Sequence, residues 1–568
     1  MSPLGRQGHR SRAGEGINME NFQRYFLMFS ILIFSYFLLI RWDPPTNDTN
    51  QSLVVNESER SLISESSKFA EPETFNENLS VSEPSVDSCS LRNIKTLKSP
   101  YWSLDLDLKN GEIIKTTLEN YPTEMNSSDR KVLFNKCGPE KYSQVSGFEF
   151  LNKDLAFKEN LFSIKDMYKS EGKNFVVLEK RENDLIFSKT FSYKNDDYFV
   201  SVKDNILNLS GKEITFAPYS KIDRSDIDLY AEDNSIFNPA SFAYLGPAFQ
   251  TSSDNYNKIS FSDLSEESYR ELSTKGWVSM LEHYFISAII PEEGSNLIFQ
   301  ARKSSKSGIY SIGVVGETSS IGPNKEASFD QKVYFGPKIK KELQKTHPEL
   351  DLAVDYGWLW WIGQPMYSAM VVFFDLTGNW GWSIVLVTIL IKLLLWPLSM
   401  VSYRNMGKMR AVQPKMQEIQ ERHADDRQAL SKAMMDLYKK EKVNPALGCL
   451  PMLMQMPFFL AFYWVLIETV ELRYAPFLFW ITDLSARDPL FILPILNMAA
   501  MWGMQQLQPQ PVGADPIQAN VFKYMPLIFG VMFALFPAGL VLYWFLNSLV
   551  SAVQMVMHGP KKAKISSQ

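Results

Sequence analysis

Hydrophobic positions follow three unlike patterns along the chain. The first is one short apolar run, Tyr25 to Ile40, behind the basic Arg24 and ahead of the polar Asp43, Pro44 and Pro45. No small-x-small cleavage pattern precedes Asp43, so an uncleaved signal anchor over residues 19–42 is expected. The upstream residues 1–18 show no periodicity and are expected to be a start-site artefact or a disordered tail. The second pattern, in "NFVVLEK", "DLIFSKTFSY" and "DDYFVSVKDNILNLSG", is partial alternation of β-branched and aromatic residues between Asn, Asp, Gly and Lys turns. It predicts an antiparallel β-sandwich over residues 89–337. Between anchor and sandwich, residues 43–88 are rich in Ser, Glu, Asn and Thr and bury too little apolar surface to order themselves, which predicts a tether.

The third pattern is a block from Trp358 onward dominated by Leu, Met, Phe and Trp, with apolar runs at about 381–401, 450–470 and 490–507 and a longer one at Met525–Val556. That last run has 32 residues, too many for one span of about 20 and too few for two full ones. Charge resolves it. Arg6, Arg10, Arg12 and Arg24 place the N-terminus in the cytoplasm, and the sandwich therefore outside. Residues 402–445 carry ten Lys or Arg against six Asp or Glu, and the tail holds Lys561, Lys562 and Lys564 without an acid. Both should be cytoplasmic, which requires two short spans, 524–536 and 539–557, with a turn near Phe536–Gly539. The expectation is six spans, with both termini inside. The whole-chain charge of −5 averages two environments and says nothing useful about nucleic acid, with which no direct contact is expected.

Within 402–445, Met409, Val412, Met416 and Ile419, then Leu430, Met434 and Leu437, recur at helical spacing. They predict two amphipathic helices meeting near Ala424–Asp426 and ending at Asn444–Pro445. Such a charged hairpin is either a solvated connector or a docking surface, with Lys408, Arg410, Lys415 and Arg422 as its basic candidates.

Candidate chemistry is sparse. His9, His283, His347, His423 and His558 are scattered, and neither HExxH, GxSxG nor a phosphate loop occurs. No catalytic residue, metal site or cofactor is expected. Cys89, Cys137 and Cys449 form no CxxC pair; Cys89 and Cys137 either bridge or remain free thiols. The exception is Lys392, near the middle of "SIVLVTILIKLLLWPLSM". A lysine at mid-span costs about 2.5–3.5 kcal/mol on insertion scales. Glu468, the acid in a later span, lies at a different depth by the 1.5 Å rise of a helix. Thr388 and Ser399 share the helical face of Lys392, and Gln455, Asn547, Ser548 and Ser551 add polar atoms from other spans. They make either a hydrated cavity around the cation or ordinary polar helix contacts. Met452, Met454 and Met456, with Phe459 and Phe462 on the same span, form an adaptable surface suited to varied partners, or simply packing.

Seven blocks then carry a resemblance: "GWVSMLEHYFISAIIP", "VYFGPKI", "LDLAVDYGWLWWIGQPMY", "MGKMRAVQPKMQEIQER", "YKKEKVNPALGCLPMLMQMPFFLAFYWVL", "APFLFWITDLSARDPLFILPIL" and "FPAGLVLYW". In this order they closely resemble the YidC membrane protein insertases of Gram-negative bacteria, in the YidC/Oxa/Alb family. The resemblance implies a polytopic α-helical membrane protein: a periplasmic antiparallel β-supersandwich, then residues 338–568 as a five-helix insertase core. It also implies an amphipathic helix at 356–374 on the outer leaflet, a cytoplasmic hairpin, and a hydrophilic groove open to cytoplasm and lipid. The groove cation, often arginine in the family, is Lys392 here, which keeps the charge without the planar fork. The family's pair of tyrosines is Tyr543 and Trp544. The function implied is insertion of newly made inner-membrane proteins, alone or with the Sec translocon, with the ribosome or targeting machinery and membrane lipid as further partners. A transporter or channel with an exported sensor domain is the alternative.

Overall fold

The computed structural model describes residues 93–558 other than 126, 152–160, 226–243, 305–306, 424–425, 445 and 509–515. The chain divides into two compact units, Met1–Leu79 and Ser80–Gln568, and every described residue belongs to the second. The expected tail, signal anchor and tether lie outside the described residues, as do Cys89 and the C-terminal lysines.

Residues 94–337 form two antiparallel sheets of ten and nine strands. Alternation drives the packing: in Trp102–Asp107, Trp102, Leu104 and Leu106 point into the core, and the residues between them sit at its edge. The central strands Trp277–Leu281 and Phe285–Pro291 are buried throughout. The segment that follows the sandwich packs over them, Trp277 Nε1 donating to Glu349 O at 3.1 Å. Gly276, at φ +131°, must be glycine, because a Cβ there would come within 1.9 Å of Gln250 O. Cys137 is disulfide-bonded.

The helical region comprises α1 (Trp360–Thr377), α2 (Trp380–Leu394), α3 (Trp396–Arg422), α4 (Arg427–Glu441), α5 (Ala446–Glu468), α6 (Ile492–Gln506), α7 (Pro516–Phe533) and α8 (Ala538–His558). The run at 381–401 is not one helix. It breaks at Leu395, and α2 and α3 bend by 66°. Pro397, in the first turn of α3, has no N–H to continue the ladder and its ring would strike the carbonyl four residues back. The first hairpin arm is therefore the unbroken continuation of the lower half of that run. Helix α4 ends at Glu441, before the expected Asn444–Pro445, because Lys442 takes a left-handed cap at φ 53°. Helix α1 starts four residues after Tyr356, behind a 3-10 turn at Gly357–Leu359. It exposes Trp361, Val372 and Leu376 as well as Gln364 and Ser368, so its outer face is mixed rather than polar. Among the described residues, α8 alone is long and apolar enough to cross a membrane unaided, and α2 with α3 passes only as a bent pair.

Sandwich and helices share one hydrophobic cluster, which runs from Leu97 to Tyr543. The junction is also polar. Lys338 Nζ, where the last strand ends, donates to Glu468 Oε2 at 2.5 Å, with both side chains under 10% exposed. Beside it, His283 Nε2 lies 3.0 Å from Ile467 O, and a carbonyl acceptor requires the Nε2–H tautomer. Burial, with the Lys338 ammonium nearby, pushes the His283 pKa down to about 3, so the ring is neutral. Arg473 and Tyr474 both donate to Thr123 O.

Two outcomes are expected. Removing one partner of a buried ion pair costs on the order of 3–5 kcal/mol, whereas an apolar pair of similar volume is nearly neutral. Thus Lys338→Met or Glu468→Leu alone should lower the denaturation midpoint in detergent far more than the double substitution, and equal losses would contradict this junction. For His283, the folded pKa lies below the ordinary 6.5, so the unfolded chain binds the extra proton. Stability should then fall as pH drops from about 6.5 toward 3, by about 1.4 kcal/mol per unit. Unfolding followed by tryptophan fluorescence at pH 7.5 and 5.5 should show that His283→Gln removes this part of the loss, and an unchanged pH response would refute it.

Candidate functional site

Four helices meet at the Lys392 ammonium. Lys392 is 3% exposed, near the end of α2, and donates to Ser551 Oγ on α8 at 2.6 Å. Ser551 passes its own proton to Asn547 O at 2.8 Å, one turn earlier. The Tyr403 hydroxyl of α3 also hydrogen-bonds Ser551. Ser551 thus accepts from Lys392 and donates to Asn547. On α5, Gln455 Nε2 donates to Asn547 Oδ1 at 2.6 Å, which ties a fourth helix to the same face of α8. Among the described residues no carboxylate pairs with Lys392; Glu468 is engaged by Lys338. Of three ammonium donors, one has a protein acceptor among the described residues.

Other expected members of the group are placed differently. Thr388, 1% exposed, spends its hydroxyl on Ile384 O of its own helix, the local bond that serine and threonine favour in helices. Ser399 is buried, but the break at Leu395 separates it from the helical face of Lys392. Three residues passed over by the sequence reading share this interior: Tyr403, and the fully buried Asn497 and Gln554, whose side-chain amides have no partner among the described residues. An amide within an apolar run was the available signal, as it was for Gln455.

The aromatic pair splits in role. Tyr543 is buried, stacks on Phe459 at 6.0 Å and meets Phe462 edge-on at 4.9 Å, and its hydroxyl has no partner among the described residues. Trp544 packs edge-on against Phe459 at 4.3 Å and near Phe533. Phe462, at 0% exposure, is therefore a core residue, while Met454 and Met456 face outward. The side chain of Met452 lies outside the described residues.

In the hairpin, Met409, Val412 and Met416 of α3 close on Leu437 of α4, with Ile419 and Met434 packed beside them. This stripe is consumed internally. Lys408, Arg410, Lys415 and Arg422 all point outward. Lys415 pairs with Glu441 at 2.7 Å and Arg422 with Glu418 at 2.6 Å, whereas Lys408 and Arg410 have no ion pair among the described residues.

Family profiles match both halves of the chain: "YidC periplasmic domain" over residues 95–369 and "60Kd inner membrane protein" over residues 372–564. The membrane protein insertase YidC of Pseudomonas putida (strain W619) is 39% identical, covering 94% of this chain and 96% of that protein. The same-named protein of Azotobacter vinelandii (strain DJ / ATCC BAA-1303) is 38% identical, covering 94% of this chain and 97% of that one. A crystal structure described as an active YidC insertase with its first transmembrane domain resolved is matched at 19% identity and a TM-score of 0.37, covering 81% of this chain and 93% of that one. Identity near two residues in five over almost the whole length decides the matter: this chain belongs to the YidC family of membrane protein insertases, with a periplasmic β-sandwich domain followed by a helical region.

Proposed function

We propose that this insertase moves client segments from the cytoplasm into the inner membrane along the face where α2, α3, α5 and α8 meet. The observation that carries the proposal is Lys392, a buried cation whose described partner is a hydroxyl rather than an acid. A purely structural lysine at this depth would be expected to sit against a carboxylate, as Lys338 does. Unpaired, it favours water and negative charge around it, and so lowers the desolvation cost for the polar tail that must precede a client's apolar segment. The unpartnered amides of Asn497 and Gln554 and the Tyr543 hydroxyl offer further hydrogen-bonding positions in the same interior. Burial of the client's own apolar segment, at about 25 cal/mol per Å², supplies the driving force. The membrane potential adds about 2.3 kcal/mol per charge per 100 mV.

In this reading the apolar runs and the N-terminal anchor make six spans with both termini cytoplasmic. The exposed Met454 and Met456, with Phe459 behind them, give clients an adaptable apolar wall. Lys408 and Arg410 form a cationic patch for the ribosome or targeting machinery. Insertion proceeds alone or beside the Sec translocon, and requires no cofactor.

Reconstitution of this chain alone in lipid vesicles, with a two-span client scored by protease protection, tests the function directly; failure of every client to insert would overturn it. The same assay reads the cation. Lys392→Arg should retain insertion, Lys392→Ala should impair clients with charged tails several-fold, and Lys392→Glu should be worst, because it turns attraction into repulsion where screening is poor. Equal activity of the Glu and Arg variants across all tail charges would reduce Lys392 to architecture. For the hairpin, Lys408→Glu with Arg410→Glu should weaken ribosome binding in a salt-dependent manner and slow co-translational insertion, leaving the spans folded. Unchanged binding by sedimentation would leave the hairpin a connector.

A further inference from the structure

Among the described residues, nine non-glycine positions have positive φ, and six of them are polar. The other three are aromatic, Tyr474, Phe479 and Phe491, and all lie in the segment joining α5 to α6. A left-handed backbone is unfavourable for a bulky side chain and is kept only where surroundings enforce it. Phe479, at φ 54°, is also 91% exposed, the most exposed large hydrophobic side chain described. In water it would be poorly placed on both counts.

The tip that carries Phe479 is rigidly built. Phe477 N donates to Ile481 O at 3.0 Å and Ile481 N to Leu478 O at 3.1 Å, closing a tight hairpin. Asn379, the N-cap of α2, donates to Pro476 O at 3.1 Å. The Phe477 ring lies on Gly381, where a Cβ would come within 2.0 Å of it. Trp480 Nε1 is held by Asp488 at 2.9 Å. Phe479 therefore cannot fold back.

The segment's polarity is inverted. Asp483 and Asp488 are buried and accept from backbone N–H groups, and Arg473 reaches the sandwich at Thr123. Leu478, Phe479, Leu490 and Phe491 face outward. Acids inside and rings outside suit an apolar exterior, the exposed Arg487 donating to Leu535 O at 3.2 Å, and the tip is continuous with Trp382 at the start of α2, which packs edge-on against Phe477 and is itself 42% exposed.

We propose that the 478–480 tip is a lipid anchor, with Phe479 seated among phospholipid acyl chains of the outer leaflet beside α2. By holding the start of α2 at a set depth, it would fix the depth of Lys392 further along the same helix. The inference rests on the reading that α2 spans the membrane. The test replaces single residues by p-benzoylphenylalanine, which reacts with nearby C–H bonds, in the full chain. The protein is reconstituted in phosphatidylethanolamine–phosphatidylglycerol vesicles with tritiated acyl chains. Leu390, exposed on α2, is the control for the span, and Lys325, exposed on the sandwich, is the aqueous control. The expected result is acyl-chain labelling at 479 as strong as at 390 and many-fold above 325. Labelling at 390 without labelling at 479 would overturn the anchor and leave the span intact. Loss of labelling at 390 would instead overturn the spanning reading. Cross-links from 479 to protein alone would assign the tip to a protein contact and also overturn the anchor.

Discussion

The contact between Lys392 and Ser551 joins residues 159 positions apart, and the helical region is organised around it. A buried ammonium tolerates few neighbours, and the helices around this one, in the last turn of α2, contribute hydroxyls and amides: Ser551 and Asn547 from α8, Tyr403 from α3, Gln455 from α5. The break at Leu395 belongs to the same arrangement, since it turns α3 by 66° and leaves Tyr403 able to reach Ser551 from another direction. An unbroken helix would have carried Ser399 onto the lysine's face.

The other end of the helical region meets the sandwich through buried charge. Lys338 pairs with Glu468, so that this acid is engaged at the junction. His283 stays neutral there because burial disfavours the imidazolium, and the Lys338 ammonium beside it adds to that cost. The loop from Arg473 to Phe491 completes this end by turning its acids onto backbone N–H groups and its rings outward. Asp483 and Asp488 thus have their partners within the protein.

Much of the architecture was legible locally. Strand alternation such as Trp102–Leu104–Leu106 follows from the period of two, and the Met409–Val412–Met416 stripe from the helical period. Lys392 stood out because a charge inside an apolar run needs a reason. Element ends were less legible: Lys442 caps α4 through a backbone conformation with no propensity signal in lysine. The Arg473–Phe491 loop contributed to the family resemblance, but its conformation was not legible, since it has no period to detect.

By itself, then, the sequence determined the β and helical halves, the family, and the identity of the anomalous cation, because periodicity and composition are properties of neighbouring residues. The tertiary structure decided the partners. Nothing near Lys392 in the chain names Ser551, nothing near Glu468 names Lys338, and Thr388 and Ser399 share a period with Lys392 without sharing its contacts. Which polar atoms are satisfied is settled by segments far apart in sequence converging in space, and no local pattern encodes that convergence.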